Sequence, residues 1–241
     1  MTDACIDYHG PVVAFDLDDT LYQERDFAIS GYRHVASMLA AKASLDADAL
    51  TTAMTSALDC RLNPFDAIAP ALSTAGLKLE EELPEMLGIY RDHVPSISLD
   101  GTTLSVLRKL QQAEVVMAII TDGRTLTQTN KIAALGMSDF VAPGNIFISE
   151  QTGFEKKTGR NFDALVRRYP EAGRFIYVGD NPDKDFRSAN IRGWTTVCLL
   201  DQGHNIHTQI FGKDALSDPA FRIRSFHDLP EIITSLGSVC H

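Results

Sequence analysis

The chain has 241 residues, 44% of them hydrophobic and 22% charged, with 32 acidic against 22 basic side chains and a formal net charge of −10. That is enough chain for one large domain or two modest ones, with the composition of a globular protein. The charge argues against a nucleic-acid binder, which needs a basic face, and no apolar run approaches the ~20 residues of a membrane span.

In chain order, Val12, Val13, Ala14 and Phe15 form an apolar run that reads as a buried strand. Asp16, Asp18 and Asp19 follow at once, then Thr20. Clustered carboxylates repel, and burying one without a partner is costly. Residues 22–98 then show no strand-turn-helix unit. They are rich in Ala and Leu, with helix formers at 28–44, 47–60 and 79–93 and with Asn63-Pro64 and Leu83-Pro84 as punctuation. About four helices are expected there, and ~75 residues are too many for a single crossover helix. The segment reads as an inserted helical domain. Within it Arg25, Tyr32, Arg33, Arg61 and His93 are candidates to line a cleft, although each residue type alone is more often a surface residue.

From residue 99 onward apolar runs alternate with stretches of helical spacing. VVMAII (115–120) precedes Thr121-Asp122-Gly123-Arg124, and IFI (146–148) precedes Ser149-Glu150. RFIYV (174–178) precedes Gly179-Asp180-Asn181-Pro182, and TTVCLL (195–200) precedes Asp201-Gln202-Gly203. Between them Leu104, Leu107 and Leu110, then Ile132 and Leu135, then Phe162, Leu165 and Val166 mark helices. The alternation predicts an α/β fold, a parallel sheet with helices on both faces. Ligands bind beyond the carboxyl ends of such strands, so the Asp16 cluster, Asp122 and the Asp180 loop should converge. The tail suggests a strand at 221–226 and a closing helix at 229–236. The start, MTDACIDYHGP, lacks the basic-then-apolar layout of a signal peptide. Cys5, Cys60, Cys198 and Cys240 show no close pairing or metal spacing, which points to free thiols and a cytoplasmic setting.

Several carboxylates at one site suit a hard divalent cation, and such a cation turns an anion-repelling site into one that attracts phosphate. An aspartate can then attack phosphorus, splitting a hard hydrolysis into two easier steps, while a second carboxylate handles protons. Metal, fixed cation and oriented donors are the expected devices.

The run DLDDTL at 16–21 resembles the first motif, DxDx[TV], of the haloacid dehalogenase-like hydrolase superfamily. Thr121-Asp122-Gly123 is similar to its second motif, SEQTGFEKKTGRNF (149–162) to its third and GDNPDKD (179–185) to its fourth, in the same order and spacing. The resemblance implies a Rossmann-like catalytic core from residues 1–21 and 99–241, with 22–98 as an α-helical cap. It implies a Mg2+-dependent phosphatase acting on a small phosphorylated metabolite. Asp16 would be nucleophile and metal ligand, and Asp18 general acid and base with its backbone carbonyl at the metal. Thr121 would bind the phosphoryl oxygens beside the backbone N–H of Asp122 or Gly123, and Lys156 would neutralise phosphate and nucleophile. Asp180 would be the metal ligand of the last motif, and Asp185 would hold Lys156 or a metal-bound water.

Two departures stand out: Lys156-Lys157 replaces Lys-Pro, and Thr-Asp-Gly replaces the Thr-Asn-Gly of many capped relatives. Asp19 and Asp183 read as turn residues, and Arg124 as either a surface or a substrate-contacting arginine. His204 and His207 lack partners for a metal site. Asp18 argues against halide removal. A phosphomutase or other transferase of the superfamily, or a binding protein on the same fold, are the alternatives.

Overall fold

The structure, a computed structural model, describes residues 5–237. The chain divides into two compact units, one built from the residues up to Glu24 together with those from Ser98 onward, the other being Arg25–Ile97. No helix among the described residues is long and apolar enough to cross a membrane.

The first unit is a six-stranded sheet in the order β3-β2-β1-β4-β5-β6, with every neighbouring pair parallel. Its strands are β1 (Pro11–Phe15), β2 (Val116–Thr121), β3 (Ile146–Ile148), β4 (Arg174–Gly179), β5 (Thr195–Leu199) and β6 (Phe221–Ile223). The centre of β1 is wholly buried, as a strand covered on both faces requires. On one face Val12 and Ala14 pack with Phe162, Leu165 and Phe186, from α8 (Arg160–Arg168) and α9 (Phe186–Ile191). Truncating the fully buried Phe162 would cost ~3–5 kcal/mol. On the other face Phe15 stacks on Phe226, ring centroids 6.1 Å apart.

β1 lies between β2 and β4, so the chain leaves β1 toward one edge and later returns to build the other half. This is the topological switch point at which open α/β sheets form their crevice. Asp16 follows β1 directly and Asp180 follows β4. The Asp16 N–H donates to the Val178 carbonyl at 2.8 Å, which ties those two strand ends together.

The second unit contains α1 (Glu24–Ala43) from residue 25, α2 (Ala47–Asp59), α3 (Ala69–Thr74) and α4 (Leu79–Asp92). Asp46 caps α2 by accepting the N–H groups of Asp48 and Ala49. Ala28, Tyr32, Val35, Leu39, Leu50, Met54, Leu72 and Met86 form its core. Leu83-Pro84 ends no element: α4 runs through Pro84. Proline forgoes one backbone bond there, while Met86 beyond it is fully buried. Two cleft candidates are core residues instead. Tyr32 stacks on Tyr90 at 5.6 Å, and His93 lies 4.7 Å from the Phe27 ring. Arg25 forks onto Asp59 at 2.8 and 2.9 Å.

The remaining helices are α5 (Gly101–Gln112), α6 (Thr125–Ala134), the short α7 (Ser149–Thr152) and the closing α10 (Leu229–Gly237). Cys5, Cys60 and Cys198 are free thiols; Cys240 lies outside the described residues.

Candidate active site

Asp16, Asp18, Thr121, Asp122, Lys156, Asp180 and Asp185 share the wall of one cavity of about 130 Å³ at the carboxyl edge of the sheet. Gly123 does not: its N–H donates to Ser149 Oγ at 2.9 Å.

Lys156 is the hub. It opens a short 3-10 turn, Lys156–Thr158, ended by Gly159 at φ +71°, a conformation that suits glycine. Its Nζ lies 2.8 Å from Asp16 Oδ1 and 2.7 Å from Asp185 Oδ1, and it is 3% exposed. Lys157 points outward and pairs with Glu155. Asp122 accepts the Lys156 N–H on Oδ1 at 2.9 Å. Asp122 therefore restrains the loop that lacks the usual proline.

Asp185 is fully buried and both of its oxygens are engaged. Oδ1 meets Lys156, while Oδ2 accepts the N–H groups of Asp180 and Asn181 at 3.1 and 2.8 Å. A side chain at Gly179 would strike this carboxylate, with its Cβ 2.5 Å from Oδ2. Asp185 thus acts as a strut that fixes both the lysine and the Asp180 loop.

Asp16, Asp180 and Asp185 each bring an oxygen within 4.8 Å of the others. Burial raises Asp16 to about 7, Asp185 and Asp18 adding to the shift against the pull of Lys156. Burial, with Asp185, Asp16 and Asp19 nearby, raises Asp180 to about 9. Three carboxylates against one ammonium leave a formal excess of two negative charges. The donor set is hard oxygen, and the excess matches one divalent cation, so the residues present fit Mg2+. Asp16 and Asp180 could hold such an ion, since both oxygens of Asp185 are engaged.

Asp18 sits in a different environment. Its Oδ1 meets Lys131 Nζ at 2.7 Å and the Tyr22 hydroxyl at 2.5 Å, and its Oδ2 accepts from Gln128 Nε2 at 3.1 Å. Burial pushes Asp18 up, but Lys131, Tyr22 and Gln128 together hold it below the ordinary carboxylate value. Gln128 Nε2 also donates to Thr121 Oγ1 at 2.9 Å, leaving the threonine hydroxyl hydrogen to be given to a ligand. The carboxyl of Glu24 shares the cavity wall. Burial and the neighbouring Asp18 raise it to about 8.

Asp19 accepts the Glu24 N–H at 2.9 Å, as a turn residue does. Asp183 is exposed and pairs with Lys213 at 3.0 Å. Arg124 is exposed and outside the cavity wall. His207 does line the cavity.

Gln128, Lys131, Tyr22, Glu24 and Asn205 are not among the residues the sequence placed at the site, and His207, rejected there only as a metal ligand, lines the wall. For the first two a signal existed. Counting back four residues from Ile132 and Leu135 gives Gln128 and Lys131, so two polar residues occupy the inward face of α6. Both are buried, at 2% and 3% exposure.

A family model described as haloacid dehalogenase-like hydrolase matches residues 11–190. Glyceraldehyde 3-phosphate phosphatase of Methanocaldococcus jannaschii is 28% identical over 229 residues, covering 93% of this chain and 97% of that protein. Among solved structures, a haloacid dehalogenase-superfamily hydrolase of subfamily IA from Geobacter sulfurreducens aligns with a TM-score of 0.62 at 16% identity, covering 95% of this chain and all of that one. The 2-haloacid dehalogenase of Pseudomonas syringae pv. Tomato aligns with a TM-score of 0.61 at 21% identity, covering 94% of this chain and 99% of that one. These two likenesses concern the fold.

Proposed function

The chain belongs to the haloacid dehalogenase-like hydrolase family, and from that membership we propose that it is a Mg2+-dependent phosphomonoesterase for a small phosphorylated metabolite, with Asp16 as nucleophile. The observation that carries the reading is Lys156 Nζ bridging Asp16 and Asp185 at 2.8 and 2.7 Å. A buried ammonium beside a buried nucleophilic carboxylate is a fixed counter-charge for an incoming phosphoryl group. The named substrate of the Methanocaldococcus jannaschii relative supports a small phosphorylated metabolite as the class.

In the first half of the reaction an Asp16 oxygen attacks phosphorus. The bond to the leaving oxygen breaks, and that oxygen takes a proton from the Asp18 carboxyl. In the second half water attacks the aspartyl-phosphate, Asp18 takes the water's proton, and the Asp16–phosphoryl bond breaks to release phosphate. Asp18, oriented by Lys131, Gln128 and Tyr22, is placed for both proton transfers. Thr121 donates to a phosphoryl oxygen, and Lys156 offsets the charge of Asp16 and the phosphoryl group together. Asp16 and Asp180, with the Asp18 backbone carbonyl, would hold Mg2+, which when bound supplies charge compensation to the carboxylates and the phosphoryl oxygens. The inserted unit, Arg25–Ile97, is proposed as the cap that excludes water and selects substrates by size.

The test is a hydrolysis screen over phosphorylated metabolites, three-carbon and sugar phosphates included, with chelator and then with added Mg2+. Turnover should vanish with chelator and return with Mg2+. Failure to hydrolyse any ester, or full turnover in chelator, would overturn the reading.

A further inference from the structure

The connection between β5 and β6, residues 200–220, carries neither helix nor strand. Loops of this length without structure of their own are uncommon and are usually either functional or disordered. The family match ends at residue 190, so the motifs assign this stretch no part in the site.

The loop is nevertheless built onto the site at several points. Asp201 Oδ1 accepts the N–H groups of Gly203, His204 and Asn205 at 2.7, 2.8 and 3.0 Å, which closes a tight turn. Gln209 Nε2 donates to the carbonyls of Asp180 and Leu199 at 2.7 and 2.8 Å, and its Oε1 accepts the Asp201 N–H at 3.0 Å. Between these anchors the Ile206 N–H donates to Asp19 Oδ2 at 3.0 Å. Asn205 Nδ2 donates to Asp180 Oδ2 at 2.9 Å, and His207 faces the catalytic cavity.

We propose that this loop is a working wall of the active site: Asn205 is a positioning residue that orients the Asp180 carboxylate for the divalent cation, and His207 contacts the bound phosphate ester. The inference rests on the phosphatase reading above. Asp180 is reached from two sides. Its N–H is held by Asp185 from within the core, and one carboxylate oxygen is held by Asn205 from the loop. An oxygen of Asp180 lies within 4.8 Å of one from Asp16. A neutral amide donor suits this task, because it fixes the carboxylate without cancelling the charge a cation needs. Loss of a partner of this kind typically costs about 10- to 100-fold in metal affinity. The chain on either side of residue 207 is held by the Ile206 and Gln209 bonds, so the backbone that carries the imidazole need not be ordered on binding.

The test uses the full chain stripped of metal and titrated with MgCl2 in a calorimeter, followed by kinetics on an ester that the parent hydrolyses. Asn205→Ala should raise the Mg2+ Kd by about 10-fold or more, with kcat recovering at saturating Mg2+. Asn205→Ser repeats the measurement if the alanine variant does not fold. His207→Ala should leave Mg2+ affinity unchanged and raise KM by about 3- to 10-fold, the worth of one hydrogen bond. Unaltered Mg2+ affinity in the Asn205 variants, or unaltered KM in His207→Ala, would overturn the corresponding role while the parent's own turnover upholds the phosphatase reading. A parent that neither binds Mg2+ nor hydrolyses any ester would overturn both.

Discussion

Replacing Lys131 with methionine removes an ammonium but keeps a long flexible side chain in its place. The Lys131–Asp18 pair is 2.7 Å long, with side chains 4% and 20% exposed. At that separation and an effective dielectric of ~20 the attraction is about 6 kcal/mol before desolvation is counted. Breaking such a buried pair costs about 3–5 kcal/mol, a large share of the ~5–15 kcal/mol that holds a typical protein folded. The pH dependence identifies the cause. In the parent Asp18 lies below its ordinary value of 3.8. Its stabilisation is complete above that value and is lost only as pH falls through the lower folded one. In Lys131→Met burial dominates and the carboxyl is raised, so the destabilisation is full at neutral pH and eases as acid protonates Asp18. The stability gap between parent and variant should be widest near neutral pH and narrow toward about pH 5. Trp194, the sole tryptophan, stacks on Phe175 in the sheet unit. Its fluorescence in urea, with chelator present, reports on that unit alone. A gap below ~1 kcal/mol at neutral pH, or one independent of pH, would refute the argument.

Lys156→Ala should lower turnover by about 10²-fold or more, as expected for loss of one buried electrostatic stabiliser, whereas Lys157→Ala should stay close to parent; steady-state rates at saturating Mg2+ would separate them, and the reverse outcome would mean that the hub is misassigned. Asp18→Asn should slow turnover most for esters with poor leaving groups, since good ones need less proton donation; a uniform loss across leaving groups would remove Asp18 from the acid role. If Arg25–Ile97 works as a cap, small esters should be hydrolysed and folded phosphoproteins should not, and efficient release of phosphate from a folded phosphoprotein would show that it does not.

The sheet could be read from sequence because each parallel strand is a continuous apolar run whose polar residues begin where the strand ends. For the same reason the sequence locates Asp16, Thr121 and Asp180: each sits at, or one residue past, a strand end. Lys156 could be picked over Lys157 only by counting from neighbouring residues, and its distances to Asp16 and Asp185 give that choice a geometric basis. What escaped was set by contacts across the chain. The Asn205–Asp180 bond spans 25 positions and the Ile206–Asp19 bond spans 187, and no local pattern encodes either. The bond from the Gly123 N–H to Ser149, on a different element, is of the same kind. Tyr32 and His93 are cleft candidates only by lying in the insertion, and ring stacking draws them into a core. Gln128 and Lys131 lie between these cases: the helical period that marks Ile132 and Leu135 as buried also marks them.

The central claim is that Asp16 carries the phosphoryl group during turnover. The direct measurement is acid quench of the enzyme in mid-reaction with substrate and Mg2+, followed by peptide mass spectrometry. A phosphoryl adduct on Asp16, absent without substrate and absent in Asp16→Asn along with all turnover, is the predicted result. Turnover by Asp16→Asn at the parent rate, or an adduct on a different residue of the parent, would contradict it.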